Sequence, residues 1–97
     1  MVIRIFRAKP RPGGAAEFVE LLQEVSIPFV DGQPGLVGRY AGGVGTTGGE
    51  LVLVTVWESL EALKNVTGEE WDSAVIPDPR QAELLEECFD HHYKSLG

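Results

Sequence analysis

Cysteine is nearly absent from this chain, with Cys88 the one thiol in 97 residues. A single thiol excludes an intrachain disulfide and any zinc site built on several cysteines. Basic residues are also scarce: 8 Lys and Arg stand against 15 Asp and Glu, a net charge of −7. An acidic surface is repelled by a phosphate backbone and by an anionic bilayer, so neither nucleic acid nor a membrane is expected as a partner. No apolar run approaches the roughly 20 residues that span a bilayer. Arg4 and Arg7 interrupt the apolar start, which argues against a signal peptide. These absences suit a reducing cytoplasm. Histidine is confined to the adjacent His91 and His92, with no HxH or HxxxH pair, so no metal is expected.

What is there is a globular composition, 43% hydrophobic and 24% charged, in a length that fits one domain over 1–97. A domain of this size buries only roughly 60–65% of the surface its unfolded chain exposes, so a partner subunit would help it. Residues 2–9 predict a first strand, with Ile3 and Ile5 on one face and Val2, Arg4, Phe6 and Ala8 on the other. Pro10 and Pro12-Gly13-Gly14 stop it. Phe18, Leu21, Leu22, Val25 and Phe29 then recur at helical spacing, and Pro28 predicts a kink or break near Ser26-Ile27-Pro28.

Leu36 to Ala41 and Glu50 to Trp57 predict the second and third strands, joined by the glycine-rich stretch from Gly42 to Gly49. Ser59 caps a helix over 60–66. Thr67 to Glu70 has capping-box spacing and precedes Trp71. Asp78 and Pro79 predict a further helix start, running to about Asp90 and burying Ala82, Leu85, Cys88 and Phe89. Its solvated face would be Glu83, Glu86, Glu87 and Asp90. His91 to Leu96 would be the last strand. The order βαββαβ predicts a ferredoxin-like α+β fold, a four-stranded antiparallel sheet in the order 4-1-3-2.

The third strand is apolar on both faces, with Val52, Val54 and Val56 opposite Leu51, Leu53 and Trp57. Two helical segments cover one face of such a sheet, and little remains for the other. A second copy is the simplest cover, which predicts a face-to-face homodimer. Gly43-x-Gly45-x-x-Gly48 matches a dinucleotide fingerprint in letters only. That motif needs a helix after the glycines, and Leu51-Val52-Leu53-Val54 is a strand.

Three short stretches carry a resemblance: Arg11-Pro12-Gly13-Gly14, Gln33-Pro34-Gly35-Leu36, and Val56-Trp57-Glu58-Ser59-Leu60-Glu61-Ala62. Together they resemble the antibiotic biosynthesis monooxygenase (ABM) family of the dimeric α+β barrel superfamily, from about Val2 to Tyr93. The resemblance implies a homodimer with a pocket between sheet and helices in each protomer. It also implies monooxygenation of an aromatic or quinol-type small molecule with no cofactor. The alternative is a non-catalytic protein of the same fold that binds a small apolar ligand or serves as an accessory; haem binding through His91 or His92 ranks below both. Trp57 matches the tryptophan of the anthrone-oxidising branch, and Asp78 to Leu84 matches its Asp-Pro-Arg-x-Ala-Glu-Leu stretch. Leu53, Leu63 and Leu85 stand where that branch has Asn, Tyr and Arg. The Asn-Trp-His set of the haem-degrading branch has no counterpart, since Trp71 falls about five positions late.

The candidate catalytic residues are His91, His92 and Tyr93. An imidazole serves as a base near neutral pH, but adjacent strand residues face opposite ways, so only one histidine meets a given pocket. Tyr93 shares a face with His91. Trp57, Trp71, Arg4 and Tyr40 are the candidate pocket residues. Arg4 is expected to need an acidic partner, either a phenolate or carboxylate ligand or, as the favoured reading, an ion pair at the dimer interface. Breaks at Gly68 and Pro77-Asp78-Pro79 predict a cavity under the second helical region, with His91 or Tyr93 near its rim. Cys88 reads as inert packing.

Overall fold

The computed structural model describes residues 1–43, 50–68, 71, 80 and 83–96. The chain runs β1 (Val2–Pro10), α1 (Ala15–Leu21), a π-helical turn (Leu22–Ser26), α2 (Ile27–Asp31), β2 (Leu36–Gly43), β3 (Leu51–Trp57), α3 (Leu60–Thr67) and β4 (Leu85–Lys94). The four strands form one antiparallel sheet in the order β2-β3-β1-β4, the ferredoxin-like arrangement. Strand β3 therefore lies inside the sheet, as its two apolar faces require.

Pro28 breaks the first helix as its missing N–H dictates. The Glu24 carbonyl cannot be served from Pro28, and the turn before it widens to a π-helix, in which the Ile27 N–H reaches back to the Leu22 carbonyl. Helix α3 begins as the sequence predicts: the Ser59 hydroxyl accepts from the Ala62 N–H at 3.1 Å. It ends at Gly68, whose φ of +80° a side chain would strain. Asp31 of α2 accepts two bonds from Arg39 of β2, both 3.0 Å, which ties the helix end to the sheet.

The helix expected to reach Asp90 is corrected by the structure. From Leu85 onward the chain is strand β4, paired with β1 from Val2–Lys94 to Pro10–Leu85. Glu86 and Glu87 favour helix locally, but the long first strand needs a partner of similar length, and ladder pairing outweighs that preference. Asp90 is therefore not on a solvated helix face; its side chain is 1% exposed. The caps expected at Glu69-Glu70 and at Asp78-Pro79, and most of the glycine connection, lie outside the described residues.

Register sorts the side chains. Arg4 is opposite Thr55 and His92, Phe6 opposite Leu53 and Asp90, and Ala8 opposite Leu51 and Cys88, so these share the face under the helices. Ala8, Phe18 and Leu85 form a core there, with Cys88 packed against it. The other face carries Ile3, Ile5, Val52, Val54 and Val56, together with Tyr40, His91, Tyr93 and Phe89. On that face Tyr40 is 68%, Tyr93 54% and Phe89 44% exposed. Among the described residues no helix is long and apolar enough to cross a membrane.

Candidate functional site

The space between the helices and the sheet holds a cavity of roughly 60 Å³. Its walls are apolar: Phe18 and Leu22 from the first helical region, Leu53 and Trp57 from β3, and Leu63 from α3. Among the described lining residues Phe29 of α2 is the one that is exposed, and so it marks the mouth. The polar lining groups are Arg4, Ser26, Thr55 and Thr67. Two of these hydroxyls are engaged locally. Thr55 Oγ1 accepts from the Trp57 indole N–H at 2.9 Å, and the Thr67 hydroxyl donates to the Leu63 carbonyl at 3.0 Å. Trp57, 2% exposed, is thus fixed as a wall.

Arg4 is the charged group on this lining among the described residues. It is 7% exposed and held from several sides. Nη1 donates to the Trp71 carbonyl at 2.7 Å and lies 3.3 Å from His92 Nε2. A guanidinium only donates, so the contact with His92 assigns Nε2 as acceptor and the imidazole as neutral. The Trp71 ring meets the His92 ring edge-on, with centroids 5.0 Å apart, and Lys64 Nζ lies 5.8 Å from the Trp71 centroid.

Nη2 of Arg4 sits 3.1 Å from Asp90 Oδ1. That is an ion-pair distance, but the direction is wrong for a hydrogen bond, and neither Asp90 oxygen has a hydrogen-bond partner among the described residues. Burial lowers the Arg4 pKa, and the Asp90 charge offsets this only in part. Burial likewise pushes the Asp90 carboxyl up, against the opposing charges of Arg4 and His91. Both members pay desolvation for an imperfect contact. The acidic partner expected for Arg4 thus lies within the protomer and not at a dimer interface.

The structure brings Arg4, Trp57, Trp71 and His92 together at the helix-covered face. Of these four Arg4 and Trp57 line the cavity, whereas Trp71, expected as a pocket residue, packs against His92 and holds Arg4 through its carbonyl. The structure places His91, Tyr93 and Tyr40 on the opposite face, away from the cavity, so the rim position expected for His91 or Tyr93 is not where they lie. Asp90 was hidden in the sequence by its acidic neighbours. The available signal was its two-residue spacing from His92, which places both beside Arg4 once β4 is recognised as a strand.

The sequence profile described as antibiotic biosynthesis monooxygenase matches residues 1–74, which includes every lining residue named above and stops short of β4. No curated protein matches significantly in sequence. Solved structures are similar over the whole chain. Rv0793 from Mycobacterium tuberculosis superposes with a TM-score of 0.76 at 24% identity, covering 99% of this chain and 95% of its own. A variant of SnoaB, a cofactor-independent oxygenase from Streptomyces nogalater, gives 0.75 at 15% identity, covering 99% and 93%. A candidate antibiotic biosynthesis monooxygenase from Nitrosomonas europaea gives 0.78 at 14% identity, covering 100% of both chains.

Proposed function

The chain belongs to the antibiotic biosynthesis monooxygenase family, and we propose that it is a cofactor-independent monooxygenase of a hydroxylated aromatic or quinol-type molecule held between sheet and helices. The observation that carries this reading is a buried guanidinium, Arg4 beside Trp57, on a mainly apolar lining whose other described polar groups are the hydroxyls of Ser26, Thr55 and Thr67. Apolar walls take a flat ring, and Arg4 receives the oxygen that ionises on it. The likeness in fold to a cofactor-independent oxygenase supports the reaction class.

The chemistry asked of the site is modest. Loss of a proton from the bound ring system to water gives a delocalised anion, and Arg4 stabilises its oxygen. Carbon then bonds to dioxygen, the peroxide takes a proton back from water, and the resulting hydroperoxide eliminates water. A CH₂ and O₂ become C=O and H₂O, so the substrate supplies all the electrons. His92 acts here as a positioning residue, since its neutral Nε2 holds Nη1 while the Trp71 carbonyl accepts from the same Nη1 and the Trp71 ring meets the His92 ring edge-on.

The cavity of roughly 60 Å³ takes a few water molecules, against about 300–1,000 Å³ for pockets that hold drug-sized ligands. Entry of a ring therefore requires the mouth at Phe29 to open. The short α2 and the π-helical turn before it are the segment that would yield.

A second copy of the chain covers the open sheet face in this reading. Ile3, Ile5, Val52, Val54 and Val56 line that face half-buried, flanked by the exposed Tyr40, Phe89 and Tyr93. An apolar area of that extent is unusual on a monomer.

One observation favours binding without turnover. Leu53 and Leu63, which stand where the anthrone-oxidising branch has Asn and Tyr, both line the cavity. Oxygen uptake by chelator-treated protein with a panel of quinols and anthrones separates the two readings. Turnover above autoxidation supports the enzyme. Tight binding with no uptake establishes the ligand-binding protein instead.

A further inference from the structure

We propose that Arg4 and Asp90 form a proton-coupled anion subsite, in which an aromatic ligand's carboxylate or phenolate oxygen takes over the Arg4 charge and Asp90 takes up a proton. The inference rests on the cavity being the ligand site and adds the ionic class of ligand and a proton count.

Three facts converge on it. Among the described residues Arg4 is the charged group on the cavity lining, so a ligand anion in that cavity meets its guanidinium. Asp90 lies 3.1 Å behind the same guanidinium with its side chain 1% exposed. Its oxygens have no hydrogen bond among the described residues, and the charges that favour its ionised form are those of Arg4 first and His91 second. Once a ligand anion shares that cation, two buried negative charges face one positive charge a few ångströms away, and the less solvated one neutralises. Asp90 is the less solvated one.

The other titratable groups around Asp90 do not replace Arg4. Cys88 shares its face and feels its charge, which together with burial holds the thiol in its neutral form. His92 contacts Arg4 as an acceptor, and His91 points to the open face. From the helices, Lys64 reaches the Trp71 ring. Burial already raises the Asp90 pKa in the unliganded protein, which leaves a shorter step to protonation when the ligand arrives.

The step balances simply. No covalent bond of the ligand changes when a carboxylate enters; one solvent proton forms an O–H bond on Asp90. A phenol entering as its anion leaves its own proton for Asp90 by the same count.

The probes are 2-naphthoate and neutral 2-naphthol, followed through tryptophan emission across a range of pH. Affinity for 2-naphthoate is expected to fall by up to about tenfold per pH unit above the Asp90 titration, while 2-naphthol stays level below its own ionisation. In Asp90→Asn the naphthoate slope is expected to vanish, with tighter binding than wild type at alkaline pH. A level naphthoate profile in wild type, or an unchanged slope in the variant, overturns the proposal. Binding of 2-naphthol with none of 2-naphthoate overturns the anion subsite and leaves the cavity reading standing. If neither probe binds, the cavity reading fails and the subsite with it. Infrared difference spectra of the wild type cover a variant that does not fold. Adding 2-naphthoate is expected to raise a protonated-carboxyl C=O band, and its absence contradicts the proposal.

Discussion

Arg4 of β1 stands opposite His92 in the ladder, yet its guanidinium reaches diagonally to Asp90, two residues away, and ends 3.1 Å from the carboxylate. One side chain thereby joins a buried acid, a neutral imidazole and the cavity wall. The energetics of this cluster give the first prediction.

Arg4→Met is expected to cost roughly 3–5 kcal/mol at neutral pH, because it strands a buried carboxylate. The Asp90 pKa lies above its unfolded value, so its folded state binds the proton more tightly. The sign follows: stability is greatest below the unfolded carboxylate pKa and is lost as pH rises through the folded one. Removing the cation strengthens that trend, so Arg4→Met should lose more stability per pH unit than wild type. Urea denaturation at several pH values measures this. The double change Arg4→Met with Asp90→Leu should recover most of the loss, and a failure to recover would mean the pair is not the cause.

Gly35 and Ala62 make the second test. Gly35 has φ +85°, and a Cβ there would meet the Ala62 Cβ at 2.6 Å. Gly68 has a similar φ of +80° with nothing within 4 Å. Both alanine variants carry backbone strain of about 1–3 kcal/mol, but Gly35→Ala also pushes α3 off the start of β2. Thermal unfolding should rank Gly35→Ala clearly below Gly68→Ala; equal melting temperatures would contradict the close approach.

Leu63 is fully buried and lines the cavity. Truncating it to alanine should cost about 2–5 kcal/mol and enlarge the space beside Trp57. Two-ring ligands should then bind more tightly relative to one-ring ligands, as titration of tryptophan emission reads out. An unchanged ratio would place the ligand elsewhere.

Sedimentation at micromolar concentration should give about twice the chain mass of 10.6 kDa. Val54→Lys, at the centre of the open face, should yield monomer or aggregate while leaving the helix-covered side intact. A soluble wild-type monomer would remove the case for a partner copy.

Much of the fold is legible in the sequence, because its signals are local. Period-two alternation marks β1 and β3, Ser59 marks the start of α3, and Pro28 marks the break before α2. Strand β4 is not legible at its beginning. Glu86 and Glu87 imitate a helix face, and only the need of β1 for a partner, a long-range demand, makes Leu85 to Asp90 extended. The site inherits that error. Arg4, Trp57 and His92 can be found from alternation and residue type, but Asp90 becomes visible only when strand pairing sets it beside Arg4. His91, Tyr93 and Tyr40 go to the other face for the same reason, since the face of a residue follows from a register that sequence alone leaves open.

Under the proposed function, the cavity beside Arg4 and Trp57 oxygenates a bound aromatic hydroxyl compound. The most direct measurement is turnover of an anthrone or quinol by chelator-treated protein under isotopically labelled dioxygen. Product is expected to carry one labelled oxygen, with the second labelled atom in water, at a rate roughly 10²-fold lower in Arg4→Met. Product formation no faster than in protein-free buffer, or an equal rate in Arg4→Met, would contradict it.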